Sequence, residues 1–198
     1  MRRAADHQGT RLGMWLFLYT EIVLFGGLFV LYAVYLSTYS SDFIEGGKSL
    51  SRLFGAANTL ILLISSFAVA ASITAVQKTQ KKRSLLCLAV AICCGLLFLM
   101  NKYFEWGHKI HADIYPGSET LAYGAPGRNI FFGLYYVMTG LHGLHIVIGM
   151  TLLSVALVLT ARERVTAENH VLLENVGLYW HLVDLIWIFI FPLFYLVL

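Results

Sequence analysis

The chain has 198 residues, of which 59% are hydrophobic and 13% charged, and a formal net charge of +3. Soluble domains run near ~45–50% apolar and ~25% charged, so a water-soluble globular protein is excluded and a membrane protein indicated. The small positive charge reflects basic residues flanking membrane helices, and no nucleic-acid partner is expected.

A bilayer core demands ~20 consecutive apolar residues per helix, and five stretches meet that demand. The first, at about 14–36, follows a polar tail holding Arg2, Arg3 and Arg11. Its apolar run exceeds the ~7–15 residues of a signal peptide and contains Glu21, so it reads as a retained helix. The others are expected at about 53–76, 85–106, 130–160 and 173–198. The fourth is long enough to tilt or to extend beyond the lipid. The predicted fold is all-α, a polytopic bundle of five transmembrane helices forming one membrane domain over 1–198.

Polar connectors separate these stretches, and Pro116 and Pro126 mark the third connector as a turn-rich outer loop. The N-terminal tail and the second and fourth connectors carry nine Lys and Arg, against four in the first and third. By the positive-inside rule the N-terminus is cytoplasmic and the C-terminus periplasmic. Cys87, Cys93 and Cys94 all fall within the third helix, away from any polar connector, and read as small buried hydrophobes. Ala68 with Ser72 and Ala71 with Ala75 predict a close seam on the second helix, and Gly133, Gly140, Gly143 and Gly149 one on the fourth.

The informative residues are polar groups at membrane depth: Glu21, Asn58, Asn101, Lys102, Glu105, His142, His145, Glu174, His181 and Asp184. A charge at the centre of a lone helix costs at least ~2.5 kcal/mol, so such groups face the bundle interior or a partner. Glu21 is either neutral or ionised against a cation, in a structural or a proton-linked role. His142 and His145 form HxxH, which puts two imidazoles on one helix face. They read as hydrogen-bonded neutral rings or as part of a metal site, and a metal site would need further ligands. Glu174, His181 and Asp184 recur at seven and three residues near one face of the fifth helix, with Trp180 and Trp187 on an adjacent stripe. Bonding to neighbouring helices and proton relay both fit. Glu21 and the fourth-helix histidines are the expected partners of His181 and Asp184.

"RLGMWLFLYTEIVLFGGLFVLY", "NTLILLISS", "GLHGLHIVIG" and "ENVGLYWHLVDLIWIFIFPLFY", in this order, resemble subunit III of the haem-copper terminal oxidases. The resemblance covers nearly the whole chain and is similar to the short five-helix bacterial form of cytochrome c oxidase subunit 3. It implies a non-catalytic core subunit of a proton-translocating respiratory enzyme in the bacterial inner membrane. Such a subunit packs on subunit I beside subunit II, stabilises the core, supports proton uptake and oxygen access, and holds bound phospholipid. Haem and copper are then expected in the partner subunits and neither cofactor nor metal in this chain. A larger respiratory supercomplex is a further expected partner. Glu21 matches the family's membrane-buried glutamate, and His142, His145, His181 and Asp184 fall on its bundle motifs. The subunit of a quinol oxidase or nitric oxide reductase is the alternative reading. A haem- or metal-carrying membrane enzyme using HxxH, or a proton-coupled carrier, is a third; the lack of internal repeats and broken helices stands against the carrier, and a Soret band of the chain alone would mark the haem enzyme.

Overall fold

The structure, a computed structural model, describes the backbone of residues 2–196 and the side chains of residues 9–196. The side chains of Arg2 and Arg3, and the last two residues of the expected fifth helix, lie outside the described residues. Seven helices follow in order among them: α1 (Arg2–Thr38), α2 (Ser40–Lys48), α3 (Arg52–Gln77), α4 (Lys81–His111), α5 (Glu119–Ala122), α6 (Pro126–Ala161) and α7 (Val171–Tyr195). Five of them, α1, α3, α4, α6 and α7, are long and apolar enough to cross a membrane. Five crossings would place the start of α1 and the end of α7 on opposite sides of the bilayer.

The first and third connectors are partly helical. In the first, α2 buries Phe43 and Gly46 against α6. A β-carbon on Gly46 would lie 2.5 Å from the Phe131 ring, so only glycine admits this approach. Asp42 of α2 accepts a hydrogen bond of 3.1 Å from the Gly127 backbone N–H, placing a carboxylate at the positive N-terminal end of α6. Pro126 opens that helix at its first position, where its ring costs no backbone hydrogen bond. α6 therefore begins four residues earlier than the apolar run suggests. Its 36 residues make it ~54 Å long, well beyond the ~30 Å hydrocarbon core.

Three of the long helices close in the same way. Thr79, Asp113 and Glu163 have φ of 58°, 57° and 58°. The next residue in each case, Gln80, Ile114 or Arg164, donates its backbone N–H five residues back to Ala75, Lys109 or Leu159. This is the Schellman closure, which usually places glycine in the left-handed position. Thr79 is the least tolerant of the three, being β-branched, and it shortens the link between α3 and α4 to residues 78–80.

The bundle is organised around α7. Half of its most apolar window is buried, against 11% for α1. α7 lies against α3 on one side and α6 on the other; α4 packs on both α3 and α6, and α1 lies outermost on α6 and α7. Trp180, Trp187, Tyr135, Tyr195 and Phe98 are fully buried between these helices. Glycines permit the approach: a β-carbon at Gly149 would meet the Trp180 ring at 2.6 Å, and one at Gly95 would meet Met150 at 2.8 Å and Trp180 at 3.1 Å. The expected fourth-helix glycine seam is thus carried by Gly149, with Gly140 near Trp106. Gly133 has no heavy atom within 4 Å of its β-position and takes no part in it. Ala68, Ser72 and Ala75 are buried as the small-residue seam requires, whereas Ala71 is half-buried.

Candidate functional site

Polar side chains at membrane depth form a ladder along α7. From Glu174 to Tyr195 it climbs ~32 Å at the helical rise. At the lowest rung Arg11 donates to Glu174 at 2.7 Å, and His170 lies 3.2 Å from the same carboxylate. Glu174 is thus tied to α1 and to its own helix cap.

Glu21 and His145 form the next rung. Glu21 Oε2 lies 2.8 Å from His145 Nε2, and His145 Nδ1 lies 2.7 Å from the Leu141 carbonyl. A carbonyl oxygen only accepts, so Nδ1 carries a proton. One remaining proton is then shared along Nε2···Oε2, giving either imidazolium with carboxylate or neutral imidazole with carboxylic acid. The α1 glutamate accordingly has a partner in both of its charge states. Phe25 covers the imidazole edge-on at 5.4 Å between ring centres.

His142, three residues before His145, turns elsewhere. Its ring packs on Phe98 and Trp187 with centroids 5.4 and 5.2 Å away, and neither nitrogen has a hydrogen-bond partner among the described residues. The HxxH pair therefore diverges, one ring toward α1 and the other toward α4 and α7. No group of three or more His, Cys, Asp or Glu converges as a metal site among the described residues.

His181 and Asp184 also bond differently from expectation. His181 Nδ1 lies 2.6 Å from Ser66 Oγ on α3, and neither Glu21 nor the α6 histidines reach it. Asp184 is 3% exposed, and both of its oxygens lack a hydrogen-bond partner among the described residues. The reason is rotational: the α1 and α6 groups approach α7 from one side, while His181 points toward α3. The tryptophans follow the same direction. Trp180 Nε1 donates to Ser65 Oγ at 3.0 Å, and that hydroxyl donates to the Ala91 carbonyl of α4 at 3.1 Å. Trp187 Nε1 donates to Thr59 Oγ1 at 3.1 Å. Asn101 of α4 donates to Asn58 of α3 at 2.9 Å, closing a polar seam between those helices.

The upper rung is a closed ionic cluster. Lys102 Nζ donates to Glu105 Oε2 at 2.9 Å, Tyr135 Oη at 2.9 Å and Tyr195 Oη at 3.1 Å. Tyr195 Oη in turn donates to Glu105 Oε1 at 2.7 Å. Lys102 and Glu105 are each 6% exposed. All three ammonium protons and both carboxylate oxygens have partners on three helices, which is the condition under which a buried ion pair is tolerated. Lys102 and Glu105 are visible in the sequence as charged residues in an apolar run. The Lys102–Glu105 spacing of three is the signal that could have marked the pair; the tyrosines give none.

The family model for cytochrome c oxidase subunit III matches residues 2–197. The chain is 32% identical to cytochrome c oxidase subunit 3 of Thermostichus vulcanus, over 98% of this chain and 90% of that protein. It is 29% identical to a probable quinol oxidase subunit 3 of Staphylococcus saprophyticus, over 97% and 92% respectively. With cytochrome bo(3) ubiquinol oxidase subunit 3 of Pseudomonas aeruginosa it shares 28%, over 94% and 84%. Five apolar helices joined by a polar ladder, and a match that runs from the start of α1 to past the end of α7, make this a multi-pass membrane protein of the cytochrome c oxidase subunit III family, the third subunit of haem-copper oxidases.

Proposed function

We propose that this chain is the non-catalytic subunit III of a proton-translocating cytochrome c oxidase in a bacterial inner membrane. It packs on subunit I beside subunit II, stabilises the catalytic core, supports proton uptake and oxygen access, and holds bound phospholipid. The observation that carries this reading is the family match across the bundle, joined to buried polar bonds that tie α1 to α6, α3 to α7 and α4 to α6 and α7. Haem and copper belong to the partner subunits. In support, both His145 nitrogens are engaged, and the His142 ring packs against Phe98 and Trp187. A quinol oxidase is the second reading, favoured by relatives that carry that name.

Affinity purification through this chain in mild detergent tests the assignment. Subunits I and II should co-purify with haem, and the complex should oxidise reduced cytochrome c faster than quinol. The opposite preference selects the second reading. A chain that purifies alone with its own haem absorption overturns both.

The orientation is cytoplasmic for the N-terminus and periplasmic for the C-terminus, supported by the lysine and arginine bias. With cysteines introduced singly at Lys81 and Tyr115, an impermeant thiol reagent on intact cells should label position 115 and leave 81 unlabelled. The reverse pattern inverts the topology.

Glu21 has a packing role in this proposal. Glutamine can donate its amide N–H to His145 Nε2, so Glu21→Gln should preserve assembly and proton stoichiometry. Glu21→Ala strands the imidazole nitrogen, at about 1–3 kcal/mol for an unsatisfied buried polar group, and should speed loss of activity during turnover. A well-assembled Glu21→Gln complex that pumps fewer protons per electron, measured in vesicles, would instead make the Glu21–His145 proton functional.

A further inference from the structure

We infer that the groove between α3 and α4, at the end of the bundle where residues 78–80 join them, binds one anionic phospholipid, with the phosphate at Lys78 and Arg83 and an acyl chain along α3. The inference rests on the reading of this chain as a membrane-spanning oxidase subunit and adds where, and by what chemistry, one lipid is held.

The groove has a volume of about 450 Å³ and is lined by Phe67, Ala71, Thr74, Lys78, Arg83 and Cys87, among others. Phe67, Ala71, Thr74 and Lys78 follow one another at spacings of four, three and four, which is one face of a helix. From Phe67 to Lys78 this face extends ~16 Å along α3. Its floor is made of small side chains, so a channel remains where larger residues would fill the space. The Thr74 hydroxyl donates back to the Ala70 carbonyl at 3.2 Å, leaving its methyl group available to the wall. Phe67, 75% exposed, closes the apolar end.

The polar end has two cations and no carboxylate. The Arg83 guanidinium is held by Gln80 Oε1 at 2.9 Å, which leaves further N–H donors for a phosphate. Lys78 makes no ion pair among the described residues. The Schellman closure at Thr79 brings both residues to the same rim. Three neighbouring grooves at this end of the bundle differ from it: Lys81 in one is neutralised by Glu163, Arg11 in another by Glu174, and the third, between Thr79 and Arg83, is lined by polar and basic residues with no apolar wall. Of these four the α3/α4 groove combines an apolar channel with uncompensated positive charge, the complement of an anionic lipid at a membrane surface.

The test uses the oxidase complex purified in mild detergent as wild type, as Lys78→Gln/Arg83→Gln and as Ala71→Phe, which fills the channel and keeps both cations. Mass spectrometry counts each phospholipid class per complex. Both variants should lose about one equivalent of anionic phospholipid, consistent with a single basic pocket, and retain their zwitterionic lipid. Short-chain phosphatidylglycerol should raise the melting temperature of delipidated wild type and not of Lys78→Gln/Arg83→Gln. Phosphatidylcholine of the same chain length and inorganic phosphate should raise neither. An unchanged anionic-lipid count in both variants overturns the inference, as does an equal shift with inorganic phosphate. A photoreactive residue at Phe67 that cross-links to a neighbouring polypeptide in place of lipid also overturns it. Failure of the oxidase assignment would show separately, as the absence of subunits I and II from the wild-type preparation, while lipid loss can still be read on the chain itself.

Discussion

Lys102→Met should be among the most damaging single substitutions in this chain, lowering stability by about 3–5 kcal/mol, the usual cost of removing one partner from a buried ion pair. The length of the side chain is kept, so little space is lost. What is lost is the ammonium that bonds Glu105 and both tyrosines. Glu105 is then left in the core with only the Tyr195 hydroxyl beside it. The variant that separates charge from packing is Lys102→Met/Glu105→Met, which removes both charges. It should recover most of the loss, because replacing a whole buried pair by apolar groups of similar size is often neutral. Denaturant titration of the purified complex, with assembly yield beside it, measures both. A double variant as unstable as Lys102→Met would mean that the cluster holds α4, α6 and α7 together through its hydrogen bonds and not through charge compensation.

Trp180→Ala should cost a comparable amount, about 3–5 kcal/mol, the usual range for deleting a large buried ring. Trp180 fills the space left by Gly95 and Gly149, and its indole N–H links α7 to Ser65 of α3. Lipid tails are as apolar as the bundle core, so little of this cost is hydrophobic transfer. Most of it is lost dispersion across a void that no neighbour can fill. Trp180→Phe keeps most of the ring and removes the N–H donor, and should cost nearer ~1 kcal/mol. Equal losses for the two variants would assign the role of Trp180 to its hydrogen bond. Gly149→Leu approaches the same contact from the other side, since its side chain would enter the volume of the ring. Stability from reversible unfolding in mixed micelles ranks the variants.

Much of the architecture is legible in the sequence. All five long helices stand where an apolar run of bilayer length stands, because in hydrocarbon a backbone must satisfy its own hydrogen bonds and the helix does so locally. Boundaries were less legible. α4 continues to His111, five residues past the expected end, and α6 begins early at Pro126, because tertiary groups such as Asp42 complete helix ends that composition alone leaves open. α2 was hidden for the same reason: nine residues with two glycines are a poor isolated helix, and burial of Phe43 and Gly46 against α6 makes it form.

The sequence by itself determined that this is a membrane bundle, which residues are out of place in lipid, and which family it resembles. Those properties are local or cumulative: length of apolar run, residue type, order of motifs. The tertiary structure decided who meets whom. Spacing placed His142 and His145 on one helix face, yet neighbouring helices approach that face from different sides, so one ring meets Glu21 and the other packs on Phe98 and Trp187. Spacing likewise grouped Glu174, His181 and Asp184, and the bundle divided them among Arg11, Ser66 and an unpartnered burial. It also gathered Lys102, Glu105, Tyr135 and Tyr195 from three helices into one closed cluster. Helical periodicity fixes only the direction of a side chain relative to its own axis, whereas its partner depends on the rotation and height of every other helix, and these follow from the simultaneous packing of Trp180, Trp187 and the glycines that admit them.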